Sequence, residues 1–158
     1  MTISYKNLIK GTYFPPGDKS ISHRILILAG QAIGKSQVTN LLEGEDVINT
    51  LKAMKILGSK IINKDGKYII FGIPPGAMFK PLKPLDFGNS GTGIRLLSGI
   101  IASNNITAKL IGDRSLSKRP MKRVTEHLEK IGAIIKLKNK VYPPIHIQGV
   151  GDAIPKKY

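Results

Sequence analysis

Residues 20–58 read SISHRILILAGQAIGKSQVTNLLEGEDVINTLKAMKILG, and the fold turns on how this stretch divides. Ser20 is placed to cap a helix that carries Ile21, Ile25, Leu28 and Ala29. After Arg24 that helix is apolar on most faces, which predicts burial. The alternation in Ser36-Gln-Val-Thr-Asn-Leu41 predicts a short strand. Glu45 and Asp46 then open a second helix, because carboxylates favour the positive end of a helix dipole. Val47, Leu51 and Met54 share one face of it, and Gly58 ends it. Beyond it, Lys60–Asn63 and Lys67–Ile73 predict two strands joined at Asp65-Gly66, a dipeptide suited to a tight hairpin.

The same order returns further along. Ser90 precedes a helix with Ile94, Leu97 and Ile101, and Arg95 stands where Arg24 stood. Ile106–Ile111 predicts a strand, and Lys122–Ile131 a helix with Val124, Leu128 and Ile131 at helical spacing, stopped by Gly132. Ala133–Leu137 and Ile145–Gln148 predict the closing strands. From the early arginine to the stopping glycine is 34 residues in the first stretch (24 to 58) and 37 in the second (95 to 132). Residues 74–86, PPGAMFKPLKPLD, read as the connector. The pattern predicts an α/β (α+β) fold built from two βαβαββ-like units, residues 15–80 and 81–150, related by internal duplication.

A chain of 158 residues and 17.2 kDa has room for one domain or two small subdomains, and 41% hydrophobic with 22% charged residues is a globular composition. Without cysteine there are no disulfides, thiolate nucleophiles, iron–sulfur clusters or cysteine-based zinc sites. The longest apolar stretch, Ile25 to Gly34, is too short to span a bilayer. MTISYKNLIKG lacks the cationic head and apolar run of a secretory signal, so a soluble, cytoplasmic protein is expected, without membrane partners.

Twenty-five Lys and Arg against ten Asp and Glu give a net charge of +15, which attracts anions. The cations are scattered, with no long basic run, and aromatics are 6% with no Trp, so a nucleic-acid surface is poorly supplied. A small polyanion needs only a few placed cations. Gly30-Gln-Ala-Ile-Gly34-Lys35-Ser36 is one residue short of a phosphate loop and follows a helix, not a strand. Gly88-Asn-Ser-Gly91-Thr-Gly93 has the order GxxGxG and does not suit a dinucleotide. His23, His127 and His146 lack the spacing of a metal pair and read as structural, satisfied or exposed.

Helix starts carry more. Pro16-Gly-Asp-Lys19-Ser20-Ile-Ser-His-Arg24 sets a turn before a helix with two cations beside its first amides, a good anion cradle. Asn89-Ser90-Gly91-Thr92-Gly93 before Arg95 offers a second, where glycine admits a ligand close to the backbone. Gly112-Asp-Arg114-Ser-Leu-Ser-Lys118-Arg119-Pro120-Met121 adds a guanidinium that forks onto a carboxylate or phosphate, with Pro120 fixing the next helix start.

Together PGDKSISHR (16–24), GNSGTGIR (88–95) and GDRSLSKRPM (112–121) resemble the 5-enolpyruvylshikimate-3-phosphate (EPSP) synthase family, the 3-phosphoshikimate 1-carboxyvinyltransferases, in order and spacing over essentially the whole chain. The related enolpyruvyl transferases acting on a UDP-sugar usually carry asparagine at the position of Ser20 and a reactive cysteine near Arg114–Ser117, which this chain lacks. The resemblance implies the enolpyruvyl transferase fold, shikimate 3-phosphate and phosphoenolpyruvate as substrates, and no metal or organic cofactor. It implies Lys19, Ser20 and Arg24 for shikimate 3-phosphate, and Lys19, Asn89, Gly91 and Arg119 for phosphoenolpyruvate. Family members are typically monomeric and more than twice as long, with six units in two domains. The resemblance therefore implies an N-terminal portion: residues 1–14 supply a strand to a second domain, and 151–158 begin a third unit. The catalytic acidic residues belong to the remainder, so the chain alone is expected to be inactive unless a separate C-terminal half completes it. The alternatives are a non-catalytic module for phosphorylated ligands and a basic nucleic-acid-binding module.

Overall fold

A computed structural model describes residues 10–74 and 76–153. Its elements are α1 (Lys19–Gln31), β1 (Lys35–Val38), α2 (Glu45–Ile56), β2 (Lys60–Lys64), β3 (Lys67–Phe71), β4 (Leu85–Asp86), α3 (Gly91–Ala102), β5 (Thr107–Ile111), a 3-10 turn (Leu116–Lys118), α4 (Lys122–Lys130), β6 (Ile134–Lys138) and β7 (Tyr142–Gln148). The first sheet has the order β1-β3-β2 and the second β4-β5-β7-β6. Without β4, the second sheet repeats the first: a strand after each unit's first helix pairs antiparallel with the last strand of a hairpin. The duplicated α/β pattern is therefore present in the topology. Both hairpins turn through two consecutive left-handed residues, Asp65-Gly66 and Asn139-Lys140, which matches the twist of the strands they join.

The described residues depart from the sequence reading in several places. Asp18, not Ser20, caps α1: its Oδ1 accepts the Ile21 N–H at 2.7 Å, so the helix starts earlier and Ser20 lies exposed in the first turn. Part of the 74–86 connector is the strand β4, where Leu85 is fully buried and pairs parallel with Leu110. β7 begins at Tyr142, because Pro143 and Pro144, which have no N–H to give, fall where the register shifts opposite Leu137/Lys138. Pro120 precedes α4 by two residues rather than opening it. The strand expected from residues 1–14 lies mostly outside the described residues, and 10–14 form no regular element. Residues 154–158 of the expected third-unit start also lie outside them.

One continuous apolar core joins the units: Leu26, Met54, Leu57 and Ile70 from the first meet Leu85, Ile94, Leu97, Ile101 and Leu110 of the second. The helix α1 is not buried all round. It turns Ser22, His23, Leu26, Ile27, Ala29 and Gly30 inward, while Ile21 and Leu28 stay 66% and 63% exposed. α1, α2 and α3 pack against one another, which brings the starts of α1 and α3 beside the first two turns of α2.

Candidate anion-binding site

Asp18 caps α1 and Ser90 caps α3 in the same way. The Ser90 hydroxyl accepts the Gly93 N–H at 3.1 Å. Both helices then repeat one arrangement. Arg24 Nη1 donates to the Ser20 carbonyl at 3.0 Å, and Arg95 Nη1 donates to the Gly91 carbonyl at 2.9 Å. Each arginine thus folds back one turn over its helix start, onto Ser20 in one and Gly91 in the other, although Arg24 lies six residues after its cap and Arg95 five.

The second start gathers more charge. Arg119, from the loop before α4, donates from Nη2 to Asn89 Oδ1 at 2.6 Å, although the two are 30 residues apart. A Cβ built on Gly91 would lie 2.9 Å from both Arg119 Nη1 and Arg95 Nη1. Two guanidinium groups therefore converge on Gly91 at the positive end of the α3 dipole. Among the described residues neither arginine is within ion-pair distance of a carboxylate. Arg95 Nη2 also reaches the Pro120 carbonyl at 3.3 Å, which ties the Arg119 loop to α3. Asn89, Gly91 and Arg119 are thus brought together as the sequence predicts, and Arg95 joins them. Its position in the repeat, matching Arg24, was the available signal. Arg114 and Lys118, from the same sequence segment as Arg119, are exposed.

The first start carries Lys19, Ser20 and Arg24 on one and a half turns of α1. The Lys19 ammonium pairs with the Asp46 carboxylate in the first turn of α2. One turn on, Thr50 Oγ1 lies 2.8 Å from His23 Nδ1. On its other side α2 meets the α3 start: a Cβ on Gly93 would lie 2.7 Å from Thr50 Oγ1, and one on Gly88 2.9 Å from Asn49 Nδ2. α2 is therefore the link between the two cationic helix starts.

His23 is fully buried, and among the described residues its Nε2 has no hydrogen-bond partner. Burial holds the imidazole below the ordinary histidine value; Asp46 opposes this, and Lys19 and Arg24 reinforce it. The expectation of a satisfied or exposed histidine holds for only one nitrogen of His23. His146 is exposed in β7, and His127 lies on α4 with a partner of its own.

The chain is an α/β protein of two tandem units, each with an arginine folded over the start of its first helix. A family model for EPSP synthase (3-phosphoshikimate 1-carboxyvinyltransferase) matches residues 4–156, and the chain belongs to that family. It is 43% identical over 159 residues to the 3-phosphoshikimate 1-carboxyvinyltransferase of Ruegeria sp. (strain TM1040), covering 100% of this chain and 35% of the relative. It is 47% identical over 144 residues to the enzyme of that name from Afipia carboxidovorans, covering 90% of this chain and 32% of the relative. EPSP synthase from Acinetobacter baumannii superposes with a TM-score of 0.88 at 39% identity, over 94% of this chain and 34% of that one. The chain spans about a third of the length of the curated relatives it matches. Among the described residues no helix is long and apolar enough to cross a membrane.

Proposed function

We propose that the chain supplies part of the substrate-binding surface of a 3-phosphoshikimate 1-carboxyvinyltransferase acting in the cytoplasm. In that reaction the 5-hydroxyl of shikimate 3-phosphate gives up its proton to a base as its oxygen bonds to C2 of phosphoenolpyruvate, while C3 gains a proton from an acid. The C2–O bond to phosphate then breaks, C3 loses a proton, and the double bond re-forms. The observation that carries the reading is the convergence of Arg95 and Arg119 on Gly91, with no carboxylate among the described residues within ion-pair distance of either.

Phosphoenolpyruvate brings a phosphate and a carboxylate, two planar or tetrahedral anions that a fixed guanidinium binds through paired N–H groups. Asn89 holds the Arg119 fork in place before any ligand arrives, which lowers the entropic cost of binding. Lys19, Ser20 and Arg24 are the matching cradle for shikimate 3-phosphate in this reading, which also gives Lys19 to phosphoenolpyruvate. Lys19 reaches them by sharing or leaving its Asp46 partner. These groups bind and orient; the acid–base chemistry is assigned to the part of the family's length this chain does not span. The family match leaves the nucleic-acid reading without support.

Calorimetric titration of the chain with phosphoenolpyruvate, beside Arg119→Ala, tests this. Loss of a charge-assisted hydrogen bond is worth about 1.5–3 kcal/mol, so affinity should fall roughly 10- to 150-fold. Unchanged affinity in the variant would remove the reading.

A further inference from the structure

We propose that His23 and Thr50 form a buried strut that positions the two cationic helix starts relative to each other. This rests on the reading above for what the two starts bind, but the strut itself is defined without a ligand.

The geometry joins three helices at one hydroxyl. Thr50 on α2 meets the α1 imidazole at 2.8 Å and lies directly under Gly93 of α3, where a Cβ would be 2.7 Å from its Oγ1 and equally close to Ser90 Oγ. Glycine at 93 lets α3 sit that close. His23, Thr50 and Ser90 are all buried, so a competing water has little access to this joint. The Thr50 hydroxyl also reaches the Asp46 carbonyl at 3.4 Å, one turn back on α2. If that hydroxyl donates to Asp46, it accepts from His23 Nδ1–H, which leaves Nε2 as the bare nitrogen. A bare nitrogen costs less without a partner than a buried N–H would, and Nε2 is the nitrogen that has none among the described residues. Asp46 in turn carries the carboxylate that pairs with Lys19. A single line of contacts therefore runs from Lys19 through Asp46 and Thr50 to His23 on one side and to the Ser90–Gly93 turn on the other. His23 and Thr50 are positioning residues: neither side chain reaches the surface where an anion would sit.

The test replaces the hydroxyl and keeps the shape. Thr50→Val removes the hydrogen bond without changing volume, and Thr50→Ser keeps it. In ligand-free nitrogen–proton spectra of the chain, Thr50→Val should shift the backbone amides of 19–24 and of 90–93 together, and Thr50→Ser should restore both sets. The His23 ring nitrogens should report an Nδ1–H tautomer in the parent chain. Affinity for phosphoenolpyruvate and for shikimate 3-phosphate should fall about fivefold together in Thr50→Val, the worth of roughly one neutral hydrogen bond. Shifts confined to one helix start, or equal in Thr50→Val and Thr50→Ser, would overturn the strut. So would an Nε2–H tautomer. Absence of ligand binding by the parent chain would instead count against the proposed function, while the amide shifts would still decide the strut.

Discussion

Gly91→Ala separates the site from the fold more cleanly than removal of a charged residue. The added Cβ would lie 2.9 Å from Nη1 of both Arg119 and Arg95, where ordinary contact begins at 3.4 Å. Both guanidinium groups are the far ends of long side chains, so they yield by about half an ångström rather than moving the backbone. Gly91 opens α3 and has no left-handed backbone to lose. Alanine there gains up to about 1 kcal/mol of helix preference. Displacing the Arg95 bond to the Gly91 carbonyl and the 2.6 Å Arg119–Asn89 bond offsets part of that gain. The stability of the variant should therefore lie within about 1 kcal/mol of the parent. Binding should suffer far more, because the Arg119 fork is no longer set where Asn89 holds it. A misaligned charge-assisted bond loses about 1.5–3 kcal/mol, so phosphoenolpyruvate affinity should drop roughly 10- to 150-fold. Urea unfolding and calorimetric titration of the same preparation measure both quantities. Unchanged affinity at unchanged stability would refute the claim that an anion is bound over Gly91.

Three further outcomes follow from the geometry. Asp18→Ala removes the carboxylate that accepts the Ile21 N–H and should destabilise the chain by about 1 kcal/mol in urea melts, whereas Ser20→Ala, in an exposed first-turn position, should cost much less. The His23 imidazole is held below its ordinary 6.5, so the unfolded chain takes up the proton first. Stability should therefore fall as pH drops below 6.5, until the folded-state value is passed; the urea midpoint of the parent should show this fall, and that of His23→Gln should lack it. Tyr68, buried and donating to Glu43 at 2.6 Å, has its phenol pushed up to about 12. Its contribution is complete below pH 10.0 and is lost as pH rises toward 12, a loss that Tyr68→Phe should abolish in alkaline melts.

Elements with strong local signals were legible in the sequence. α2 was marked by acidic residues at its start, a single apolar face and Gly58 at its end, and the first hairpin by Asp65-Gly66. What local pattern cannot carry was missed. β4 is two residues long, too short for any periodicity, and exists through its pairing with β5. The choice of Asp18 over Ser20 as cap depends on where the backbone leaves the extended conformation, which residue type alone does not settle. The exposure of Ile21 and Leu28 reflects which faces α2, α3 and β3 cover, a matter of packing rather than composition. For the site, the glycine-rich and arginine-bearing segments named Asn89, Gly91 and Arg119. Their convergence needed the fold to bring a loop 30 residues away onto α3. The Thr50–His23 contact had no sequence signal, since a threonine in mid-helix and a histidine on an apolar face read as ordinary packing.

The central claim is that the two helix starts are anion sites of one binding surface. Titrating the isotopically labelled chain with phosphoenolpyruvate and then with shikimate 3-phosphate, and following backbone amide and arginine side-chain signals, tests it most directly. Phosphoenolpyruvate should move Asn89, Gly91 and the Arg95 and Arg119 guanidinium signals, and shikimate 3-phosphate should move Lys19, Ser20 and Arg24. Shifts spread over the exposed lysines of the two sheets, with these residues unmoved, would contradict it.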